Sequence, residues 1–178
     1  MLVQDLLLKD AKLISFDEHK DNRGVFFELY NPEYDFIEMK NSQDNVSHTK
    51  ERGTVRGMHW QAKPFEQGKL VSVLQGVVYD LILDLRPRSK TFGQNLGVIL
   101  TANKQLWVPP GFAHGFQTLT DDVMFHYKCT NIYDKSSERS LSPFDPILKN
   151  GFPLDISNVS DKDKHAANWA TVCEGINR

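Results

Sequence analysis

KLVSVLQGVVYDLILDL, residues 69–85, is the stretch on which the fold turns. Two runs rich in Val and Leu flank Gln75-Gly76, and Gly supplies the positive φ that a two-residue hairpin loop needs. The spacing predicts Leu74 opposite Val77, Val73 opposite Val78, Val71 opposite Asp80 and Lys69 opposite Ile82. Side chains alternate between the faces of a strand. Lys69, Val71, Val73, Val78, Asp80 and Ile82 therefore share one face, and Leu70, Leu74, Val77, Tyr79, Leu81 and Leu83 the other. Both faces are mostly apolar, which suits strands covered on both sides or a barrel interior. Lys69 and Asp80 become diagonal neighbours on that face, where an ion pair costs several kcal/mol in desolvation.

Outward from this segment, turn signals recur at short intervals: Asp21-Asn22-Arg23-Gly24, Asn31-Pro32, Arg52-Gly53, Arg86-Pro87, Pro109-Pro110-Gly111 and Ser142-Pro143. Short β-prone runs lie between them, the rhythm of an all-β sandwich or barrel. Val123–Thr130 (VMFHYKCT) reads as another strand, with Phe125, Tyr127 and Cys129 on one face and Met124, His126 and Lys128 on the other. Helical periodicity is weak, with one short helix expected near Asp161–Ala170.

The 178 residues suit one domain, 1–178, with no linker on which to divide it. Twenty-one Lys and Arg against 23 Asp and Glu give a net charge of −2 without a basic stripe, which argues against nucleic acid. No apolar run approaches membrane-spanning length, and Asp5 interrupts the N-terminal apolar stretch, so neither a membrane span nor a signal peptide is expected. Two cysteines, Cys129 and Cys173, are too few for a disulfide framework. A soluble, cytoplasmic protein is the expectation.

Of six histidines, His19, His48 and His165 sit in polar surroundings. His59 stands between Met58 and Trp60, and His114 within Pro109-Pro110-Gly111-Phe112-Ala113-His114-Gly115-Phe116, both apolar settings. Gly53-x5-His59 and Pro109-x-Gly111-x2-His114 follow the two boxes of cupin metal sites, with Glu66 at a third ligand position. Gln61 replaces the expected second histidine and is a poor transition-metal ligand, so the spacing favours a cupin barrel more than a metal. A metal-dependent cupin using His59, Glu66 and His114 is the alternative.

Further segments fall in one familiar order: Asp21-Asn22-Arg23-Gly24-Val25-Phe26-Phe27-Glu28, Gln43-Asp44-Asn45, Val55-Arg56-Gly57-Met58-His59-Trp60-Gln61, Gln67-Gly68-Lys69-Leu70, Tyr79-Asp80, Tyr127-Lys128-Cys129-Thr130 and Ser160-Asp161-Lys162-Asp163. With the His114 segment, they span about residues 10–165 and resemble the dTDP-4-dehydrorhamnose 3,5-epimerases of deoxysugar biosynthesis. The resemblance implies a cupin-type double-stranded β-helix, a jelly-roll barrel with a few short peripheral helices. It implies no cofactor or metal, a nucleotide-sugar substrate, and a homodimer in which residues 1–45 complete the partner's site.

Epimerising carbons beside a ketone needs a base, an acid on the opposite face and a hold on the enolate oxygen. An imidazole side chain can take up and release a proton near neutral pH, which suits a histidine such as His59 as the base. By resemblance it is the base, oriented by Asp163, and Tyr127 returns the proton. Lys69 meets the enolate, Asp80 positions it, and His114 donates to the sugar. Arg56 suits the diphosphate because a guanidinium binds phosphate bidentately. By resemblance Gln43 and Asn45 contact the nucleotide, Tyr133 stacks on thymine, and Glu138 and Lys162 line the same pocket. The resemblance also implies that Arg23, Phe26 and Glu28 come from the neighbouring subunit. Trp60, Met58, Pro143 and Phe152 depart from the family's usual residues and leave the exact sugar open. Relatives that invert one carbon share the base, and the presence of Tyr127 favours inversion at both C3 and C5.

Overall fold

The structure, a computed structural model, describes residues 1–34, 36–39, 41–148 and 151–176. The N-terminal third carries β1 (Leu2–Asp5), β2 (Lys12–Ser15), β3 (His19–Asp21), β4 (Gly24–Phe26) and β5 (Gln43–Thr49). The central part carries β6 (Thr54–Gln61), β7 (Lys69–Gln75), β8 (Val78–Asp84), β9 (Asn95–Leu100), β10 (Lys104–Val108), β11 (Phe112–Thr118) and β12 (Val123–Cys129). After these come β13 (Glu138–Ser140), β14 (Asn158–Val159), α1 (Asp161–Lys164) and α2 (Trp169–Ile176).

Two antiparallel sheets face each other. The first has the order β1-β2-β10-β7-β12-β5 and the second β13-β6-β11-β8-β9, with β14 running parallel to β6. From β5 to β12 the chain alternates between the sheets at nearly every step, the jelly-roll arrangement expected of the cupin type. β3 and β4 form a separate two-stranded arm.

The alternation corrects the hairpin expected at residues 69–85. β7 bonds to β10 and β12 in the first sheet, whereas β8 bonds to β11 and β9 in the second. Gln75-Gly76 is a corner between sheets. Gly76 has φ +84°, and a Cβ there would stand 2.7 Å from Thr120 Oγ1 and 2.8 Å from Val123 Cγ2. The same turn chemistry serves a hairpin or a corner, and strands apolar on both faces do not reveal their hydrogen-bond neighbours. The side-chain faces are nevertheless as expected. Val71, Val73, Val78 and Ile82 meet Phe112, Phe116 and Phe125 in the core between the sheets.

The opposite face divides between two outer layers. Leu70 packs with Ile14, Tyr34, Ile37 and Trp107 beneath the N-terminal segment, and Leu81 and Leu83 pack with Met58, Leu141 and Val172 beneath α2. At the end of β8 the fully buried Asp84 accepts from Arg86 Nε (2.9 Å) and Nη2 (2.8 Å), Ser89 Oγ (2.6 Å) and Thr91 Oγ1 (2.6 Å). Arg86 also donates to Asp10 (2.8 Å) and to the Lys9 carbonyl (2.9 Å), which ties the β1–β2 turn to the second sheet.

The single helix expected near Asp161–Ala170 is two. Ser160 caps α1 by accepting from the Asp163 amide, and the chain then leaves the helix so that Ala167 bridges to Leu141 before α2 begins. Among the described residues no helix is long and apolar enough to cross a membrane.

Candidate active site

A cavity of about 630 Å³ opens between the sheets. β6 contributes Arg56 and His59, β11 His114, β7 Lys69, β12 Tyr127 and β5 Gln43 and Asn45, while Tyr133, Glu138, Lys162 and Asp163 close the mouth. Every expected binding or catalytic residue from Gln43 onward thus lines one space, except Asp80, which stands behind it. His59 and Tyr127 enter from opposite sheets.

His59 Nε2 lies 2.7 Å from Asp163 Oδ1. The other Asp163 oxygen accepts from the Gly57 amide at 3.2 Å. Burial works to raise the Asp163 pKa, but the His59 contact, the Gly57 amide and Ser160 outweigh it and hold the carboxyl below its ordinary value. The approach of β6 to β11 makes this possible. Gly57 has φ +114°, and a Cβ there would meet Gly115 Cα at 2.6 Å and the His114 carbonyl at 2.7 Å. The register between the two strands shifts at the same place.

His114 is the Cα partner of His59, and its Nε2 lies 3.0 Å from Asp80 Oδ2. Asp80 is fully buried, and its Oδ1 has no hydrogen-bond partner among the described residues. The expected Lys69–Asp80 pair is not made. Lys69 Nζ instead donates to the His59 carbonyl at 3.3 Å. With β7 and β8 in different sheets, the two side chains are not cross-strand neighbours, and Asp80 positions His114. Burial pushes the Lys69 pKa down, against the pull of Cys129, Asp80 and Glu138. Burial pushes the Tyr127 phenol up, aided by Cys129 and Glu138 and opposed by Arg56, so the hydroxyl keeps its proton at neutral pH.

At the mouth, hydrogen bonds link the expected nucleotide-side residues. Gln43 Nε2 donates to Asn45 Oδ1 (2.8 Å), Gln43 Oε1 accepts from the Tyr133 amide (2.8 Å), and Tyr133 Oη donates to Glu138 Oε2 (3.0 Å). Lys162 pairs with Glu138 at 2.6 Å. Burial would raise the Glu138 pKa, but Lys162 and Tyr133 hold it below its ordinary value. Arg56 is anchored through Nε to Thr49 Oγ1 (3.0 Å).

Arg23, Phe26 and Glu28 do not line this cavity. Arg23 pairs with Asp21 on the exposed β3–β4 arm, and Phe26 is 71% exposed. Of the three ligands of the metal alternative, His59 and His114 share the cavity but Glu66 does not. His59 and His114 each face a carboxylate, Glu66 lines a different cavity beside Arg86 and Arg88, and among the described residues no group of three or more His, Cys, Asp and Glu could hold a metal ion.

Cys129, Gln67, Ser160 and the Gly57 amide also belong to the site, although residue type alone does not mark them, and Gln61 is more than a missing ligand. Their signal was position: each lies within a motif already quoted.

The family model described as dTDP-4-dehydrorhamnose 3,5-epimerase matches residues 5–171. The dTDP-4-dehydrorhamnose 3,5-epimerase of Salmonella typhimurium is 40% identical over 171 residues, covering 92% of this chain and 90% of its own. A dTDP-4-dehydrorhamnose 3-epimerase of Streptomyces niveus is 31% identical, covering 93% and 83%. Among solved structures, the dTDP-6-deoxy-D-glucose-3,5-epimerase of Legionella pneumophila in complex with dTDP-4-keto-L-rhamnose superposes with a TM-score of 0.91 at 37% identity, covering 98% of this chain and 96% of that one.

Proposed function

The chain belongs to the dTDP-4-dehydrorhamnose 3,5-epimerase family, and we propose that it converts dTDP-4-dehydro-6-deoxyglucose to dTDP-4-dehydrorhamnose by inverting C3 and C5. The observation that carries this reading is the His59–Asp163 pair on one sheet facing Tyr127 on the other across a single cavity.

The carboxylate of Asp163 takes the Nε2–H tautomer of His59, which leaves Nδ1 as the proton acceptor. His59 removes the proton α to the C4 ketone, and the C–H electron pair moves into the enolate with negative charge on the C4 oxygen. Lys69 meets that charge, and His114, whose Nε2 faces Asp80, donates beside it through Nδ1–H when the ring carries both protons. Hydrogen bonds preorganised toward a developing oxyanion are worth about 2.7–4 kcal/mol each. Tyr127 then delivers a proton to the other face of the carbon and is reprotonated from solvent, while His59 gives up its proton to solvent before the same cycle runs at the second carbon. Only protons move, so the chemistry calls for no redox cofactor.

Arg56 and Lys162 suit the diphosphate, and Gln43, Asn45, Tyr133 and Glu138 the nucleoside. The working unit is a homodimer in the cytoplasm, where nucleotide sugars are made. Val25 and Phe26, 50% and 71% exposed, give the β3–β4 arm an apolar tip suited to docking on a second copy, with Arg23 and Glu28 carried beside it.

The test is the stereochemistry of the product. Proton NMR of dTDP-4-dehydro-6-deoxyglucose incubated with the protein should show inversion at both carbons. Inversion at C3 alone would place the chain with the 3-epimerases, and an unchanged sugar would overturn the reading.

A further inference from the structure

Three buried or half-buried glutamines of the cavity grip one short segment, residues 131–134. Gln43 Oε1, from β5 in the first sheet, accepts the Tyr133 amide at 2.8 Å. Gln61 Oε1, from β6 in the second sheet, accepts the next amide, Asp134, at 3.0 Å. Gln67 Nε2 donates to the Asn131 carbonyl at 2.8 Å. Gln61 is 5% exposed, and its orientation is fixed because an amide N–H requires the side-chain oxygen. Inside the turn, the Asp134 carboxylate accepts from Ser136 and from the Ser137 amide at 2.8 Å.

Tyr133 itself is 48% exposed, and its ring is outside the three apolar core clusters. Its position is set by its hydroxyl bond to Glu138 and by the two amides gripped at its base. An exposed aromatic that must meet a ligand loses affinity if it must first be ordered. Gln61 and Glu138 are Cα partners across β6 and β13, so the glutamine that holds the backbone lies beside the carboxylate that holds the hydroxyl.

We propose that Gln61 and Gln67 are positioning residues that preorganise Tyr133 for the nucleotide, acting through the 131–134 backbone. The proposal rests on the reading of Tyr133 as a nucleotide contact. It assigns a role to Gln61, which stands where a metal cupin would place a histidine.

The test is a double-substitution cycle on the full chain, with dTDP alone as the probe and calorimetry as the readout. Gln61→Met should raise the dTDP Kd about tenfold and raise KM in parallel, with kcat within about threefold of wild type. In a Tyr133→Ala background the same substitution should change Kd by less than twofold, because its effect passes through the ring. If Gln61→Met fails to fold, Gln67→Met releases the same segment from its carbonyl side and should show the same dependence on Tyr133. Unchanged dTDP affinity in the glutamine variants, or full additivity with Tyr133→Ala, would overturn the proposal. If wild type fails to bind dTDP, the failure lies with the proposed substrate, and this role falls with it.

Discussion

Asp163 joins two elements distant in sequence: one oxygen lies 2.7 Å from His59 Nε2 while the other accepts the Gly57 amide at 3.2 Å. The carboxylate fixes both the tautomer of the imidazole and the strand that carries it. Asp163→Asn keeps the volume but presents an amide with a donor where an acceptor is needed. kcat should fall about 10²–10⁴-fold, the range of general-base catalysis, with little change in dTDP affinity. Steady-state kinetics and calorimetry check this, and retention of a tenth of wild-type kcat would contradict it.

Gly57→Ala tests the strand approach beneath that contact. The new methyl would meet backbone atoms of Gly115 and His114 at 2.6 and 2.7 Å, at a φ that L residues rarely adopt. Backbone cannot swing aside as a flexible side chain does, so unfolding free energy should fall by about 2–4 kcal/mol. Urea denaturation measures it.

Lys69→Met should separate stability from function. Burial depresses the Lys69 pKa, so the folded state binds its proton less tightly than the unfolded chain does. Below the folded value the protein bears the cost of a buried ammonium, and that cost fades as pH rises toward the unfolded value. At pH 7 the variant should therefore be more stable, by about 1 kcal/mol, and the gain should shrink between neutral pH and about pH 10. kcat should fall at least about 10²-fold through loss of the cation at the enolate. Thermal unfolding across pH, with activity assays, reads both effects.

Asp84 is the complementary case. Burial works to raise its pKa, but Arg86, Ser89 and Thr91 overcome this and hold the carboxyl below its ordinary value. Its stabilisation is present above the unfolded value and is lost as pH falls through the folded one. Asp84→Ala should cost about 3–5 kcal/mol at pH 7 by stranding the partly buried Arg86, and should flatten the fall in stability below about pH 4. The network lies outside the cavity, so kcat per folded molecule should stay at the wild-type level.

Much of this site was legible in the sequence because alternation along a strand fixes which side chains share a face. Lys69, Val71 and Val73 face inward with Val78, Asp80 and Ile82 whichever strands pair, so the interior set survives the loss of the hairpin. Pairing itself is not encoded locally. A Gln-Gly turn reverses the chain, and the choice between one sheet and two depends on β10, β11 and β12, some 30–60 residues away. The Lys69–Asp80 ion pair was derived from that pairing and fell with it. Asp80 instead serves His114, a contact visible only once β8 lies beside β11. Gln61 reads in the sequence only as a missing ligand, because its bond to the Asp134 amide leaves no mark on residue type.

Exchange with solvent deuterium tests the assignment of His59 most directly. In D₂O, wild type acting on dTDP-4-dehydro-6-deoxyglucose should place deuterium at C3 and C5 of the product, and His59→Asn should abolish incorporation at both positions. Incorporation at wild-type rates by the His59 variant, or none at either carbon by wild type, would contradict the mechanism.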